Sequence, residues 1–442
     1  MPRRVVITGM GWVTPLGDDL ETVWRRLLAG ESAIGPVTRF NGATFATNFA
    51  AEVRDFSLDR HFDASMLARH ASTGLQTQYA LAAAQRAWVQ AGLARDQIPA
   101  HRFGIYLGGG EGPPDFVHFV ATNLAGWNPE LRRTDAAAWF RAAREMLDPR
   151  IDVEQEPHAA VTHVADAFGC GGPGLNCMTA CAAGTQAVGE AFEIIRRGDA
   201  DAMLAGGTHS MIHPLGMTGF IRLTAMSRRR ETPQTASRPF DRTRDGFVMG
   251  EGAGVLVLES LEHALDRGAT PLAELAGYGS TADAFRITDI QPEGFGAQAA
   301  MAQALRQAGI NPREPGADGR PPVHYISAHG TGTPENDGIE TAAVKGVFGP
   351  LAPQIPFSSV KSMLGHLIQA AGAVELMTCV LAIKTGCVPP TINLHEADPR
   401  CDLDYVPGRA RDLNPSGGVQ VCISNGFGFG GQNDCVCVKR FE

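Results

Sequence analysis

The chain has 442 residues, of which 44% are hydrophobic and 19% are charged, a balance typical of a large globular protein with a substantial core. Its formal net charge of −9 argues against a nucleic-acid partner, which would require a basic surface. No run of about eighteen uncharged apolar residues predicts a transmembrane helix, and the apolar start of the chain is too short for a signal peptide. We therefore expect a soluble cytoplasmic protein with no membrane partner.

Strands and helices alternate in the N-terminal part of the sequence. A continuous β-branched run at 4–10 predicts a strand buried on both faces, and helical patterns follow at 18–30 and at 76–93, the second ending at Gly92. Another buried strand is predicted at 102–110. From Glu111 to about Gly172 the pattern is irregular, and we interpret this segment as an excursion over the main sheet.

Further elements follow, and a second series begins near residue 262 with the same outline of a buried strand that enters a glycine-rich turn. The predicted elements are a strand at 200–210, a strand and helix at 252–268, a strand at 272–280, a helix at 296–310 and a strand at 323–333. The alternation predicts an α/β protein. The repeated outline predicts two similar halves, 1–260 and 261–442, in one compact unit.

Nine cysteines are present, and their spacing fits neither a zinc site nor a disulfide framework, which favours a reducing compartment. Cys177 falls inside a predicted strand, where a thiol is a packing residue. The apolar spacing from Val188 to Ile195 predicts a helix that starts near Cys181. A helix N-terminus stabilises an anion, so we expect a lowered pKa for the Cys181 thiol. The alternative is a buried cysteine in a tight turn.

Two histidines follow glycine-rich stretches. His329 comes after a predicted strand and is followed by Thr331 and Thr333, while His366 lies five residues after Lys361. Neutral imidazoles in an apolar setting can donate hydrogen bonds to a developing enolate oxygen. The alternatives are satisfied core histidines and a metal site, but no His-x-x-x-His or His-x-x-Glu-His pair is present, so no catalytic metal is expected.

The sequence resembles the elongating β-ketoacyl-[acyl-carrier-protein] synthases over nearly its whole length. The resemblance rests on motifs in the family's order: "RVVITGMGWVTPLG", "TACAAGTQAVGEA", "RPFDRTRDGFVMGEGAG", "AHGTGTPENDGIET", "VKSMLGHLIQAAGAVE" and "NGFGFGGQND". It implies the thiolase-like fold, with two similar halves in a five-layered α-β-α-β-α sandwich. The first half would carry the nucleophilic cysteine and the second half the two histidines.

The resemblance also implies roles for catalytic residues. Cys181 would take the acyl chain as a thioester. His329 and His366 would assist decarboxylation of the malonyl group and stabilise the enolate. Lys361, with Glu340 as its acidic partner, would organise the charges around the histidines, and the family motif places a further buried carboxylate, Glu375, behind the site.

The substrate-binding residues come from the same motifs. Thr331 and Thr333 would hold the phosphopantetheine arm, and Phe427 and Phe429 belong to a glycine-rich loop that closes on the sulfur, with Phe429 as the gate. The backbone N–H groups of Cys181 and Phe429 would form the oxyanion hole. The alternative is that the loop has only a structural role, as a glycine turn with two packed aromatic rings.

The implied reaction is a decarboxylative condensation of an acyl chain with malonyl-acyl carrier protein, without a cofactor. The expected partners are acyl carrier protein and a second copy of the chain in a homodimer. A heterodimer with a related subunit, or a non-catalytic chain-length partner, is the alternative. Initiation synthases pair cysteine with histidine and asparagine, so the two histidines favour the elongating type.

Two features depart from the family pattern. Glu111 stands near a position where the family has an apolar residue at the acyl pocket, and the residues that follow match poorly. We therefore expect an unusual acyl chain that is short, polar or aryl-bearing. The helix region that often carries basic docking residues is also less basic here, and Arg228, Arg229 and Arg230 could replace that patch or simply form a solvated loop.

Overall fold

The computed structural model describes residues 2–442, and its centre is a mixed sheet of ten strands. In chain order the strands are β1 (Val5–Val13), β2 (Phe103–Gly109), β3 (Gly174–Cys177), β4 (Ala202–His209), β5 (Gly252–Ser260), β6 (Ala273–Ala282), β7 (Tyr325–Ser327), β8 (Phe357–Ser358), β9 (Val421–Gly428) and β10 (Gln432–Lys439). Three two-stranded ribbons lie outside this sheet: Gly35–Pro36 with Phe49–Ala50, Trp127–Asn128 with Arg133–Thr134, and Cys387–Val388 with Arg411–Asp412.

Fourteen α-helices are formed by the described residues, 2–442. They are α1 (Leu20–Leu28), α2 (Ala64–Arg69), α3 (Leu75–Ala91), α4 (Phe116–Gly126), α5 (Ala136–Met146), α6 (Pro149–Asp152), α7 (Ala159–Phe168), α8 (Ala183–Arg197), α9 (Pro214–Arg222), α10 (Leu261–Asp266), α11 (Phe295–Gln307), α12 (Asn336–Phe348), α13 (Lys361–Leu364) and α14 (Ala371–Thr385). Gly92 ends α3 in the left-handed conformation, with φ at 60°, as the sequence predicts.

The strand order repeats in the two halves of the sheet, which runs β8-β7-β9-β10-β6-β1-β5-β4-β2-β3. In the first half, β3, β2 and β4 are parallel, and β5 and β1 continue antiparallel. In the second half, β8, β7 and β9 are parallel, and β10 and β6 continue antiparallel. The two halves therefore share one topology, and β1 pairs with β6 where they meet. The boundary after residue 260 stays a prediction.

Helices form the other layers. Helices α3 and α7 pack on one face of the first half, and α11 packs on the second half with α12 against it. Helices α8 and α14 contact strands of both halves, so they form the central layer of an α-β-α-β-α sandwich. The stretch Ile368–Thr385 has a mean hydropathy of 1.3, and 83% of it is buried inside the protein, which makes it a core segment rather than a membrane span.

The segment from Glu111 to Gly172, whose sequence pattern is irregular, is largely helical in the structure, and its interpretation as an excursion over the main sheet stays a prediction. It contains α4, α5, α6 and α7. Three of these helices begin after an aspartate, Asp115, Asp135 or Asp148, whose carboxylate accepts a backbone N–H of the first turn. These caps stabilise the starts of the three helices, and α4 is apolar over most of its length, so its sequence shows no distinct apolar stripe.

Candidate active site

Cys181 lies in the turn that connects β3 to α8. The strand ends at Cys177, Ala180 adopts a left-handed φ of 48°, and a 3-10 turn over Ala180–Ala182 leads into the helix at Ala183. Left-handed geometry at a residue with a side chain is uncommon and is concentrated at functional sites. The turn holds Cys181 at the helix entrance, with 5% of its surface exposed.

Cys177 is placed differently, in agreement with the sequence prediction. It ends strand β3 and is half-buried, and its Sγ donates to the Ala183 carbonyl oxygen at 3.3 Å. Burial raises the pKa of the Cys177 thiol to about 12. The thiol is therefore protonated and occupied with a packing contact.

A small cavity brings together seven of the residues that the sequence singled out. Its walls contain Cys181, both histidines, both threonines and both phenylalanines of the glycine-rich loop: Cys181, His329, Thr331, Thr333, His366, Phe427 and Phe429. Phe247, Ile290, Asn336 and Gly428 complete the lining. Residues from both halves of the chain thus meet at one thiol.

The two histidine rings lie edge to face, with centroids 5.5 Å apart and an interplanar angle of 82°. The Nδ1 atom of His366 accepts the backbone N–H of Ile368 at 3.3 Å, so its proton lies on Nε2, which has no protein partner. Burial, together with the Lys361 ammonium, holds the pKa of both His329 and His366 well below the usual range. Both imidazoles are therefore neutral at neutral pH and can act as hydrogen-bond donors.

Lys361 lies behind the cavity and supports His329. Its Nζ donates to the His329 carbonyl oxygen at 2.6 Å and forms a buried ion pair with Glu375. Burial raises the pKa of Glu375 to about 7, although the ammonium opposes this shift. The pair fixes the position and charge of the site without lining the cavity.

Glu340 is not the acidic partner of Lys361, and that prediction is wrong. Its carboxylate accepts the backbone N–H groups of His329 and Gly330, both at 2.8 Å, and the Asn425 side chain at 3.1 Å. Glu340 belongs to α12, which follows the histidine turn, so its carboxylate lies beneath that turn. The lysine instead meets Glu375 of α14, and Glu340 shapes the backbone that presents His329.

Two backbone N–H groups act on the Cys181 sulfur, those of Cys181 itself and Phe429. A Cβ atom on Gly428 would lie 2.7 Å from the Thr179 carbonyl oxygen, so glycine at 428 allows the loop to approach the turn that carries Cys181. The two predicted oxyanion donors therefore lie near the Cys181 sulfur, and their role in an oxyanion hole stays a prediction.

The prediction of a lowered pKa for Cys181 is wrong for the substrate-free site. Burial raises the pKa of the thiol to about 12, although the Lys361 ammonium and the two backbone N–H groups oppose the shift. Helix position alone suggested an anion, but complete removal from water penalises the charged form more strongly. The thiol is therefore protonated in the substrate-free site.

The two threonines lie at the entrance side of the cavity. Their Oγ1 atoms are 2.9 Å apart, and Thr333 also accepts the Asn336 backbone N–H at 3.3 Å. Thr333 and Phe429 border a second, wider cavity of about 700 Å³ as well. Thr333 and Phe429 therefore lie between the wider cavity and the Cys181 cavity.

Glu111 lies outside the Cys181 cavity. It borders a different cavity of about 330 Å³ beside α9. The sequence reasoning also missed Phe247, Asn336 and Asn425, which line or brace the site. Their signals, the "RDGF" and "PEND" stretches and the start of "NGFGFGG", lie within motifs that drew attention to other residues.

No group of three or more histidine, cysteine, aspartate or glutamate side chains within residues 2–442 could hold a metal ion. The chemistry of the cavity is that of a thiol, two neutral imidazoles and converging N–H donors.

Two family models match the chain. The model described as "Beta-ketoacyl synthase, N-terminal domain" matches residues 2–264, and the C-terminal domain model of the same family matches residues 272–395. Among curated relatives, 3-oxoacyl-[acyl-carrier-protein] synthase 2 of Synechocystis sp. is 41% identical over 440 residues, covering 100% of this chain and 99% of the relative. The synthase of the same name from Coxiella burnetii is 40% identical, with 99% of both chains covered.

Solved structures agree. A type II polyketide ketosynthase, in complex with its acyl-carrier protein and bound to a hexaketide, superposes with a TM-score of 0.85 at 33% identity. The ishigamide ketosynthase/chain length factor superposes with a TM-score of 0.84 at 36% identity. Both comparisons cover 100% of each chain and confirm the predicted thiolase-like fold. By its sequence and by its fold, the chain belongs to the β-ketoacyl synthase family.

Proposed function

We propose that the protein is a β-ketoacyl-[acyl-carrier-protein] synthase, an acyltransferase that joins an acyl chain to malonyl-acyl carrier protein. The observation that carries the proposal is the meeting of Cys181, two neutral histidines and two N–H donors around one cavity. The full-length relatives named 3-oxoacyl-[acyl-carrier-protein] synthase 2 support the same reaction.

In the first half-reaction, the Cys181 sulfur attacks the carbonyl carbon of the acyl thioester. The oxygen becomes anionic and is held by the N–H groups of Cys181 and Phe429. When the carbonyl forms again, the bond to the carrier's sulfur breaks, and that sulfur takes the proton that Cys181 lost. The products are an acyl-cysteine and a free carrier thiol.

In the second half-reaction, malonyl-acyl carrier protein loses carbon dioxide, and the electrons of the broken C–C bond form an enolate. The His366 Nε2–H and the neutral His329 ring stabilise its oxygen. The enolate carbon attacks the acyl-cysteine, and the Cys181 sulfur leaves as a thiolate that is then protonated. The product is 3-oxoacyl-acyl carrier protein. No cofactor takes part in this scheme.

We propose that the wider cavity admits the phosphopantetheine arm. It joins the surface to Thr333 and Phe429, and Arg286 and Arg400 line it. Nearby, Arg228 and Arg230 are exposed, whereas Arg229 is half-buried and bonded to Thr243. Exposed cations beside the entrance suit an acidic carrier protein.

We also propose that the protein works in the cytoplasm as a homodimer, with a heterodimer as the alternative. Strand β3 forms one edge of the sheet and is only partly buried. Leu175 and Met178, at this edge, are 43% and 57% exposed. An open strand edge with apolar neighbours suits pairing with a second chain.

Two cysteine variants test the proposed function. Cys181→Ala should abolish transfer of an acyl group from acyl carrier protein, measured as a mass increase of the intact protein, and should abolish 3-oxoacyl product. Cys177→Ala is the matched control and should retain both. Loading of the Cys181→Ala protein would overturn the assignment, and a wild-type protein that neither loads nor condenses would favour a non-catalytic chain-length partner.

A further inference from the structure

A second cavity lies beside the Cys181 site, between α4 and α9. Its volume is about 330 Å³, and its walls are mainly apolar, with Phe119, Leu215 and Phe220 among them. The cavity at Cys181 offers only about 40 Å³. An acyl chain of more than a few carbons on Cys181 therefore needs additional space.

The two cavities are adjacent, because an aromatic ring from each wall is in contact. Phe220 lines the second cavity and packs edge-on against Phe247 of the first, with ring centroids 5.7 Å apart. Phe220 and Met211 belong to the same apolar cluster as Cys181. The second cavity is thus the neighbouring volume into which a chain on Cys181 can extend.

His213 supplies a hydrogen-bond donor to this cavity. Its Nδ1 atom accepts the Gly216 backbone N–H at 3.3 Å, so the proton lies on Nε2. The polar neighbour of Nε2 is the Met211 sulfur, at 3.4 Å, which is a weak acceptor. Burial lowers the pKa of His213, which keeps the ring neutral.

Glu111 supplies the acceptor. It is exposed at the cavity border, and no side chain within residues 2–442 forms an ion pair with it. The turn that carries it is fixed, because the Gly112 backbone N–H donates to the Gln155 carbonyl oxygen at 3.0 Å. A hydroxyl group can donate to a carboxylate and accept from an imidazole N–H at once, whereas a ketone can only accept and an alkyl chain can do neither.

We propose that the acyl group carried by Cys181 bears a hydroxyl group, which donates to Glu111 and accepts from the Nε2–H of His213. The inference rests on the proposed function and specifies its substrate class. Binding of a saturated chain would leave the Nε2–H of His213 with only the Met211 sulfur as a partner, which is unfavourable. Glu111 and His213 are thus specificity-determining residues.

The test compares loading of the wild-type protein by octanoyl-acyl carrier protein with loading by its 3-, 5- and 7-hydroxy derivatives. At least one hydroxy derivative should load Cys181 about tenfold faster than octanoate, because a site built to bind a hydroxyl group discriminates against its absence. In Glu111→Leu and His213→Phe the ratio of the hydroxyacyl loading rate to the octanoyl loading rate should fall towards one. Glu111→Gln keeps an acceptor and should therefore retain part of the hydroxyl preference.

Either of two results with octanoyl and hydroxyoctanoyl chains would overturn the inference. One is equal or faster loading of octanoate by the wild-type protein. The other is a hydroxyl preference that both Glu111→Leu and His213→Phe leave unchanged. An 8-aminooctanoyl chain serves as a third probe, and its preference over every hydroxylated chain would also overturn the hydroxyl assignment. If octanoate loads and condenses well, only this inference fails; if no acyl group loads on Cys181, the proposed function itself fails.

Discussion

His209 is a buried imidazole behind the proposed catalytic pair. It ends β4 and is 2% exposed, and burial lowers its pKa to about 3, although hydrogen bonding to the Gln369 side chain opposes the shift. Its proximity contributes to the low pKa of His366. At neutral pH the ring of His209 is therefore uncharged, like those of His329 and His366.

This burial predicts a pH-dependent stability. Below the usual histidine pKa the unfolded chain binds a proton at His209 that the folded chain does not, so stability falls as the pH decreases from about 6.5 towards the folded value of about 3. His209→Leu should reduce the slope of unfolding free energy against pH by about 1.4 kcal/mol per unit between pH 4 and 6. Urea unfolding at several pH values measures the slope.

The control for this experiment is Val89→Ala, at a residue that is 65% exposed and has no titrating group, and its slope should equal that of the wild-type protein. Because other titrating groups are common to all three proteins, the difference in slopes isolates His209. Equal slopes for wild type and His209→Leu would show that the buried ring is charged in the folded protein.

At the scale of elements, β1 and α3 pack closely enough to exclude any side chain at two glycines. A Cβ atom on Gly11 would lie 2.2 Å from the Ala83 carbonyl oxygen, and one on Gly9 would lie 2.1 Å from that of Ala87. The atoms they would meet belong to the backbone of α3, which cannot rotate away. Glycine here sets the distance between a helix and the sheet.

Gly11→Ala is therefore expected to destabilise the protein by about 1–3 kcal/mol, the usual cost of overpacking. The matched control is Gly219→Ala in α9, where a Cβ atom would meet nothing within 4 Å. Because alanine favours a helix over glycine, this change should stabilise the protein by up to about 1 kcal/mol. The midpoints of urea unfolding distinguish the two variants. Equal changes in stability for Gly11→Ala and Gly219→Ala would contradict the close packing of β1 against α3.

The sequence predicts an element well where a single physical factor, such as burial or left-handed backbone geometry, determines its residues. The β-branched run of β1 and the end of α3 at Gly92 were recognised because burial and left-handed geometry leave direct signals. The helices between Glu111 and Gly172 have weaker signals, because α4, α5 and α6 begin at single aspartate caps and α4 is apolar over most of its length instead of amphipathic.

The site was predictable in composition but not in detail. The motifs named the residues that line the Cys181 cavity, whereas the pairing of Lys361 with Glu375 depends on how α13 and α14 pack. Spacing along the chain cannot decide whether Glu340 or Glu375 forms the ion pair with Lys361. Likewise, helix position indicated an anionic sulfur, but only the structure shows the burial that raises the pKa of the Cys181 thiol.

At the scale of the whole molecule, the exposed edge of the sheet leaves apolar surface uncovered. Beyond Leu175 and Met178, the helices before β3 expose Val117, Leu124 and Phe140 at 72%, 68% and 57%. Soluble monomers rarely expose many large apolar side chains in one region. Pairing β3 with the same strand of a second copy would satisfy the strand edge and remove part of this surface from water.

The proposed homodimer predicts a particle of twice the chain mass of 46.9 kDa, measured by light scattering after size exclusion. Because a carboxylate would be buried without a partner at the interface, Leu175→Asp combined with Met178→Asp should shift the protein towards monomer. The control is Ile287→Asp, at a 91% exposed apolar residue beside Gly430, and it should remain dimeric. A wild-type monomer would contradict the homodimer and favour a related partner subunit, and a dimer unchanged by the double variant would place the interface elsewhere.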